Sequence, residues 1–153
     1  MPNDTIQLRR ATASDADGIA ALVNAAYEKY IPRIGRKPYP MIMNYADAVK
    51  TKTVWVAEED GQLCGALVLI PSGDHLLIEN IAVAPTFQGA GLGRRFLKLA
   101  EDEAGRYGFS DLRLYTNVRF TENIAIYTRH GYVETGRDEQ NNLNVVFMRK
   151  TLA

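Results

Sequence analysis

Residues 81–94 read Ile81-Ala82-Val83-Ala84-Pro85-Thr86-Phe87-Gln88-Gly89-Ala90-Gly91-Leu92-Gly93-Arg94. The stretch opens as the end of a strand and closes as the start of a helix. Gly89, Gly91 and Gly93 lie between the two. A glycine inside a helix or strand costs about 0.5–1 kcal/mol relative to alanine, so the cluster implies a backbone that bends sharply or is approached closely. A turn of this kind aims several N–H groups at one spot, and the helix start adds a field that favours negative charge. The expected ligand is an anion, most simply a phosphate or pyrophosphate. A Walker phosphate loop would end in Lys-Ser/Thr, which is missing here. A dinucleotide fingerprint would need a third glycine where Arg94 stands.

Upstream, Leu76–Val83 is the third strand of a meander. It follows strands over Thr53–Glu58 and Gln62–Ile70, with Asp60-Gly61 and Pro71-Ser72-Gly73-Asp74 as the turns. Thr5–Ala11 alternates apolar and polar residues and reads as an edge strand. Thr12-x-x-Asp15 is a capping pattern ahead of a helix with Ile19, Leu22, Val23, Ala26 and Tyr27 on one face. Tyr30–Pro40, with three prolines and a glycine, reads as a loop, and Met41–Lys50 as a short helix. Downstream come a helix over Leu92–Ala104, a strand over Asp111–Thr116 and a helix over Glu122–His130 with Gly131 at its C′ position. Strands over Tyr132–Arg137 and Leu143–Thr151 close the chain, joined through an Asn141-Asn142 turn. The order β-α-α-β-β-β-α-β-α-β-β predicts an α/β (α+β) fold with a mixed, mostly antiparallel sheet flanked by helices.

With 153 residues, the expectation is one domain over 1–153. At this size a chain buries roughly two thirds of its unfolded surface. Apolar residues make up 46% and charged residues 24%, so long disordered tracts are not expected. Lys plus Arg and Asp plus Glu number 18 each, so no general electrostatic footprint points to nucleic acid or an anionic membrane. No apolar run approaches the roughly 20 residues that span a bilayer. The start, Met1-Pro2-Asn3-Asp4, lacks the apolar stretch of a signal peptide. The single cysteine, Cys64, sits in an apolar run and reads as core, and no metal site is expected. A cytoplasmic, reduced setting follows as the expectation.

Gln88-Gly89-Ala90-Gly91-Leu92-Gly93 resembles the Gln/Arg-x-x-Gly-x-Gly/Ala motif of the GCN5-related N-acetyltransferases. Val83-Ala84-Pro85 fits the pattern that precedes it, and the element order is similar along nearly the whole chain. The resemblance implies an acetyl-CoA-dependent N-acetyltransferase acting on a primary amine. It implies that backbone N–H groups of Gln88, Gly89, Ala90, Gly91, Leu92, Gly93 and Arg94 hold the coenzyme pyrophosphate. Ile81, Ala82 and Val83 would line the coenzyme, with backbone groups of Ile81 and Val83 pairing with the pantetheine arm. The family's central strand splays from its neighbour to expose those groups. A homodimer is compatible with the family.

Acetyl transfer needs a neutral amine, a stabilised oxyanion and a proton for the departing thiolate. Tyr127, four residues after Asn123 and on the same helix face, is the candidate acid, by resemblance to a family tyrosine near the coenzyme sulfur. A core tyrosine is the other reading. Asn123 would hydrogen-bond the pantetheine arm or simply fill a first helical turn; Asn117 is a weaker candidate of the same kind. Glu79, the one acid in Leu76–Val83, should face a cleft or a partner. It is either the base or half of a salt bridge. The amide of Ile81 or Val83 could serve the oxyanion. His75 and His130 are alternatives for acid–base work, as histidine is the residue type suited to it near neutral pH, but they sit at element ends, where a structural role is the stronger reading.

In this family the residues between the first helix and the second strand shape the acceptor site. Tyr27, Tyr30, Tyr39 and Tyr45 fall within 19 residues here, with Arg33, Arg36 and Lys37 as a basic cluster. Tyr27, Tyr30, Arg33, Arg36 and Tyr39 are the candidate acceptor contacts, suited to a small amine that carries a carboxylate or phosphate. Solvated cations over core tyrosines are the alternative. An acyl-CoA sensor without turnover, or a nucleotide-dependent oxidoreductase, would compete with the enzyme reading.

Overall fold

The computed structural model describes residues 5–139 and 144–152. Its strands are β1 (Gln7–Arg10), β2 (Thr53–Glu59), β3 (Gln62–Ser72), β4 (His75–Val83), β5 (Asp111–Asn117), β6 (Val133–Asp138) and β7 (Val145–Thr151). They form one sheet in the order β1-β2-β3-β4-β5-β7-β6. Every neighbouring pair is antiparallel except β4 and β5. The expected mixed, mostly antiparallel sheet is thus present. The Asn141-Asn142 turn lies outside the described residues.

Helices α1 (Ala16–Tyr27) and α4 (Tyr45–Thr51) cover one face of the sheet, and α5 (Leu92–Arg106) covers the other. Ile19, Val23, Val54, Val56 and Val68 form the α1 core, while Phe96, Leu67, Leu69, Leu112 and Met148 form the α5 core. Alternation along β2 and β3 sends successive side chains into the two cores, so both strands read as nearly continuous apolar runs. Gly65 on β3 lets α5 lie close. A Cβ there would stand 2.7 Å from Phe96 Cε2 and 2.9 Å from Leu92 Cδ2, inside van der Waals contact.

The Thr12–Asp15 capping box precedes α1 as expected. Asp15 accepts from the Thr12 N–H at 2.7 Å and from Arg9 at 2.8 and 2.9 Å. The Arg9 guanidinium holds the Asp15 carboxyl down at about 2.

The segment expected as a loop over Tyr30–Pro40 contains two single helical turns, α2 (Ile31–Ile34) and α3 (Tyr39–Ile42). Their prolines, Pro32 and Pro40, stand second in those turns, where no backbone N–H has a partner within the helix. The helix expected over Met41–Lys50 divides at Asn44, whose side chain accepts from the Asp47 N–H at 3.0 Å and starts α4 afresh. β3 also runs further than its Pro71 suggested. The last β2–β3 pair is Thr53↔Leu69, so Pro71 lies beyond β2 and its missing N–H breaks no ladder bond on that side. No helix among the described residues is long and apolar enough to cross a membrane.

Candidate active site

The site is a fork in the sheet. β4 and β5 pair only at Leu76↔Leu112, Leu77↔Arg113 and Ile78↔Leu114. Beyond Ile78, β4 stays on β3 while β5 stays on β7, and the strands part. A bulge marks the parting: Val68 pairs with Asn80 and Leu69 with Ile78, leaving Glu79 as the extra residue. The insertion switches faces. Ile78 belongs to the α5 core, whereas Ala82 belongs to the α1 core, although both numbers are even.

The alternation past the bulge decides which backbone groups face the opening. The Ala84 N–H donates to Cys64 O at 2.9 Å across the β3–β4 ladder. Groups of Ala82 and Asn80 therefore also point to β3, and those of Ile81 and Val83 point into the fork. Both outward carbonyls have partners: the Tyr27 hydroxyl donates to Ile81 O at 3.1 Å, and Gln88 Nε2 donates to Val83 O at 3.1 Å. The Ile81 and Val83 N–H groups share the same edge.

Beyond Val83 the chain turns through Gly89 (φ 86°) and Gly91 (φ 83°) into α5. Only glycine takes these values without strain. Gly91 is the N-cap and has no side chain to cap with, and the first ladder bond runs from the Arg95 N–H to Gly91 O at 3.1 Å. The N–H groups of Leu92, Gly93 and Arg94 therefore precede the ladder, as first-turn donors do. Gly93 has no positive φ, and a Cβ on it would meet nothing within 4 Å. Open space beside three first-turn donors at the start of a 15-residue helix fits an anionic group.

Two cavities open from the fork. One, of about 750 Å³, runs from Ile81–Val83 along the glycine turn to α6 (Thr121–Arg129). The other, of about 450 Å³, lies between the parted strands, lined by Ile78–Ile81 on β4 and Leu114–Asn117 on β5. Its remaining walls come from Tyr27, the segment 34–42, Phe120, Asn123, Tyr127 and Val145. The cavities share four residues: Tyr27, Ile81, Asn123 and Tyr127.

The shared wall is held by a buried polar network. Tyr27 also donates to Asn80 Oδ1 at 2.8 Å; Asn80 Nδ2 donates to the Tyr45 hydroxyl at 3.1 Å, and Tyr45 donates to Pro40 O at 2.6 Å. The chain of bonds satisfies Asn80 in the core and ties α1, α3 and α4 to the strand beside the fork. Burial, with a smaller push from Tyr30, raises the Tyr127 phenol to about 12. Tyr127 therefore keeps its proton throughout the neutral range. Glu79 Oε1 lies 2.6 Å from Lys52 Nζ, and the Glu79 side chain is 8% exposed.

The sequence profile described as "Acetyltransferase (GNAT) domain" matches residues 50–134, more than half of the chain. The chain belongs to the GNAT acetyltransferase family. An Azospirillum brasilense protein named "IAA acetyltransferase" is 36% identical over 83 residues, covering 53% of this chain and 54% of its own. A Xenopus tropicalis protein named "Probable N-acetyltransferase 14" is 33% identical over 92 residues, covering 58% of this chain and 45% of its own. The matches thus span about half the length of these relatives. The crystal structure of PaiA N-acetyltransferase from Thermoplasma acidophilum in complex with coenzyme A superposes with a TM-score of 0.85 at 16% identity. It covers 95% of this chain and 98% of its own, which establishes the GNAT fold over nearly the whole length.

The GNAT chain gathers most of the expected site residues and separates others. Ile81, Ala82, Val83 and the turn from Gln88 to Arg94 line the large cavity. Asn123 and Tyr127, four apart on α6, face both cavities as their spacing requires. Asn117 lines the second cavity instead of the large one, and Glu79 faces the second alone. Among the acceptor candidates, Arg36 and Tyr39 line the second cavity, while buried Tyr30 lines the large one and stacks on Phe120 at 4.2 Å. Arg33 lines neither. It pairs with Glu122 at 2.6 Å and lies 5.0 Å over the Tyr30 ring. His75 pairs with Asp74 at 3.0 Å away from both cavities, and His130 borders the large one with Nδ1 2.8 Å from Ile126 O. Tyr115, Phe120 and the Lys52 partner of Glu79 were not singled out from sequence. Nothing local marks them, because each reaches the fork from a different element.

Proposed function

We propose that this GNAT protein transfers the acetyl group of acetyl-CoA to a primary amine on a small acceptor. The meeting of two cavities at Tyr27, Ile81, Asn123 and Tyr127 carries the reading. A two-substrate transfer needs two chambers with one shared wall, and the relatives' names point to the same class of reaction. In this reading the large cavity takes the coenzyme. First-turn donors Leu92 to Arg94 and the glycine turn hold its pyrophosphate. The Val83 N–H pairs with the pantetheine arm and Asn123 steadies that arm, which leaves the Ile81 N–H for the acetyl group.

Acetyl-CoA supplies an activated acetyl thioester. The protein does the rest with few groups. Glu79, between the parted strands, accepts a proton from the acceptor ammonium and leaves a neutral amine. The Ile81 N–H donates to the acetyl oxygen as negative charge grows there. Tyr127 donates its phenolic proton toward the departing sulfur. A phenol at about 12 exceeds an ordinary thiol at about 8.5. The burial that raises the phenol raises the thiol as well, so the buried shared wall narrows this gap. The N–C bond forms as the C–S bond breaks, and the second proton lost by the nitrogen replaces the one that Tyr127 gave to sulfur. One ammonium and one thioester become one amide, one thiol and one released proton.

The first test is thermal unfolding with acetyl-CoA, coenzyme A, NAD(P) and ATP in parallel. A ligand specific to the folded state adds about 2.7 kcal/mol at a hundredfold excess over Kd. Stabilisation by acetyl-CoA and coenzyme A is the expected result, followed by amine-dependent thiol release. Stabilisation by NAD(P) alone would overturn the assignment. Acetyl-CoA binding with no thiol release from any amine would leave a sensor in place of an enzyme.

A further inference from the structure

We infer that the acceptor carries a single positive charge on an apolar or aromatic body, and that Lys52 sets that limit. The inference rests on the acetyltransferase reading above and names the acceptor class for the second cavity.

The cavity between β4 and β5 is walled chiefly by apolar and aromatic side chains, among them Ile42, Ile78, Leu114, Tyr115 and Phe120. Among the described residues that line it, Glu79 is the one carboxylate, and the other charged residues, Arg36 and Lys37, are cations. Glu79 already has its counter-ion. Lys52 follows α4 and is no part of the cavity lining, yet its ammonium reaches Glu79 Oε1 at 2.6 Å. The pair is mostly withdrawn from water, with side-chain exposures of 8% for Glu79 and 22% for Lys52.

Glu79 is engaged by Lys52 and serves the reacting amine, so no carboxylate lining the cavity is left for a second ammonium of a polyamine or aminoglycoside. An acceptor with one amine gives up its charge when it becomes the nucleophile, and its apolar body then lies against apolar walls. A second ammonium would stay charged inside the cavity. No unpaired carboxylate lining the cavity would receive it, and attraction to the tyrosine faces falls short of the cost of stripping its water. The discrimination therefore lies in an internal ion pair, which a survey of lining residues alone would miss.

The test compares hexylamine with hexamethylenediamine, two acceptors of matched length that differ by one ammonium. Thiol release should give hexylamine a kcat/KM larger by ~100-fold. Hexylamine should also stabilise the protein without acetyl-CoA at concentrations where the diamine does not. Lys52→Gln removes a positive charge from beside the cavity and leaves it one unit more negative, which should narrow the kcat/KM ratio by ~10-fold or more, while Lys52→Arg, which keeps the charge, should preserve it. A wild-type protein that uses both amines equally, or prefers the diamine, overturns the inference and leaves the acetyltransferase reading intact. So does a Lys52→Gln variant with an unchanged ratio. Absence of thiol release from every amine would instead sink the acetyltransferase reading.

Discussion

The two cavities are built from different materials. The large one takes about half of its lining from a single stretch, β4 and the glycine turn into α5, where glycines leave backbone groups uncovered, and the rest from α1, the residues just after it, and α6. The second is walled by side chains from α1, α3, β4, β5 and α6. A backbone wall offers N–H and C=O groups that any sequence possesses, provided glycine permits the conformation. A side-chain wall offers whatever chemistry the residues carry. The first arrangement suits a ligand common to a whole family, and the second a ligand particular to one member. Substitutions should divide along this line.

The largest effect is expected at Gly91. Its φ of 83° strains any other residue, a β-branched one most of all. Gly91→Val should lose more than ~2 kcal/mol of stability and all thermal stabilisation by acetyl-CoA. Gly93→Ala is the control inside the same turn. It has no positive φ and open space at its Cβ, so without ligand it should hold or raise the midpoint, since alanine favours a helix by up to ~1 kcal/mol, and with acetyl-CoA it should lose only the part of the shift that its added methyl takes from the anion's space. Thermal unfolding of both variants, with and without acetyl-CoA, checks the contrast. Equal behaviour would mean that the turn's conformation is not what holds the coenzyme.

At the shared wall the expected loss is in turnover and not in binding. Tyr127→Phe should lower kcat by ~100-fold and leave the acetyl-CoA shift in place. The pH profile adds a second reading. A phenol raised to about 12 is protonated below that value and loses its proton only above it. Tyr127 should therefore produce no alkaline fall in kcat under about pH 12 in wild type. An alkaline limb near pH 10 that vanishes in Tyr127→Phe would show that the hydroxyl titrates as a free phenol.

The same contrast explains what could be read from the chain. The glycine turn, the preceding strand and the Asn123/Tyr127 pair are local patterns, and each was placed from its own residues. The mixed sheet followed from element order. The bulge at Glu79 was not legible, because it exists only in the register between β3 and β4. Nor was the Asn80 network, whose partners Tyr27 and Tyr45 lie 53 and 35 residues away. The short helices α2 and α3 were masked by Pro32 and Pro40, which read as loop formers but stand at helix starts.

A smaller and purely acceptor-side effect is expected at Tyr115, which lines the second cavity from β5 and whose phenol is raised chiefly by burial. Tyr115→Ala should raise the KM for the amine by ~10-fold, the worth of a moderate apolar contact. The KM for acetyl-CoA should stay put. Steady-state kinetics with each substrate varied in turn separates the two, and equal rises in both would erase the division between the cavities.

The smallest effect should come from Arg33, although the sequence groups it with Arg36 and Lys37. Arg33 lines neither cavity. Its guanidinium is committed at 2.6 Å to Glu122, which borders the large cavity, with side-chain exposures of 37% and 49%. Arg33 holds the Glu122 carboxyl down at about 2, so the pair's contribution is complete above the ordinary carboxylate range and is lost as pH falls from there toward about 2. Salt, not neutral pH, should weaken it. An exposed pair of this kind contributes little, and Arg33→Ala should change the amine KM by less than ~2-fold. Arg36→Ala, at the wall of the second cavity, should change it more for an acceptor that bears a carboxylate. Side-by-side KM values for the two variants decide the matter: a larger rise for Arg33→Ala would move the acceptor's mouth outward, to the surface between α2 and α6.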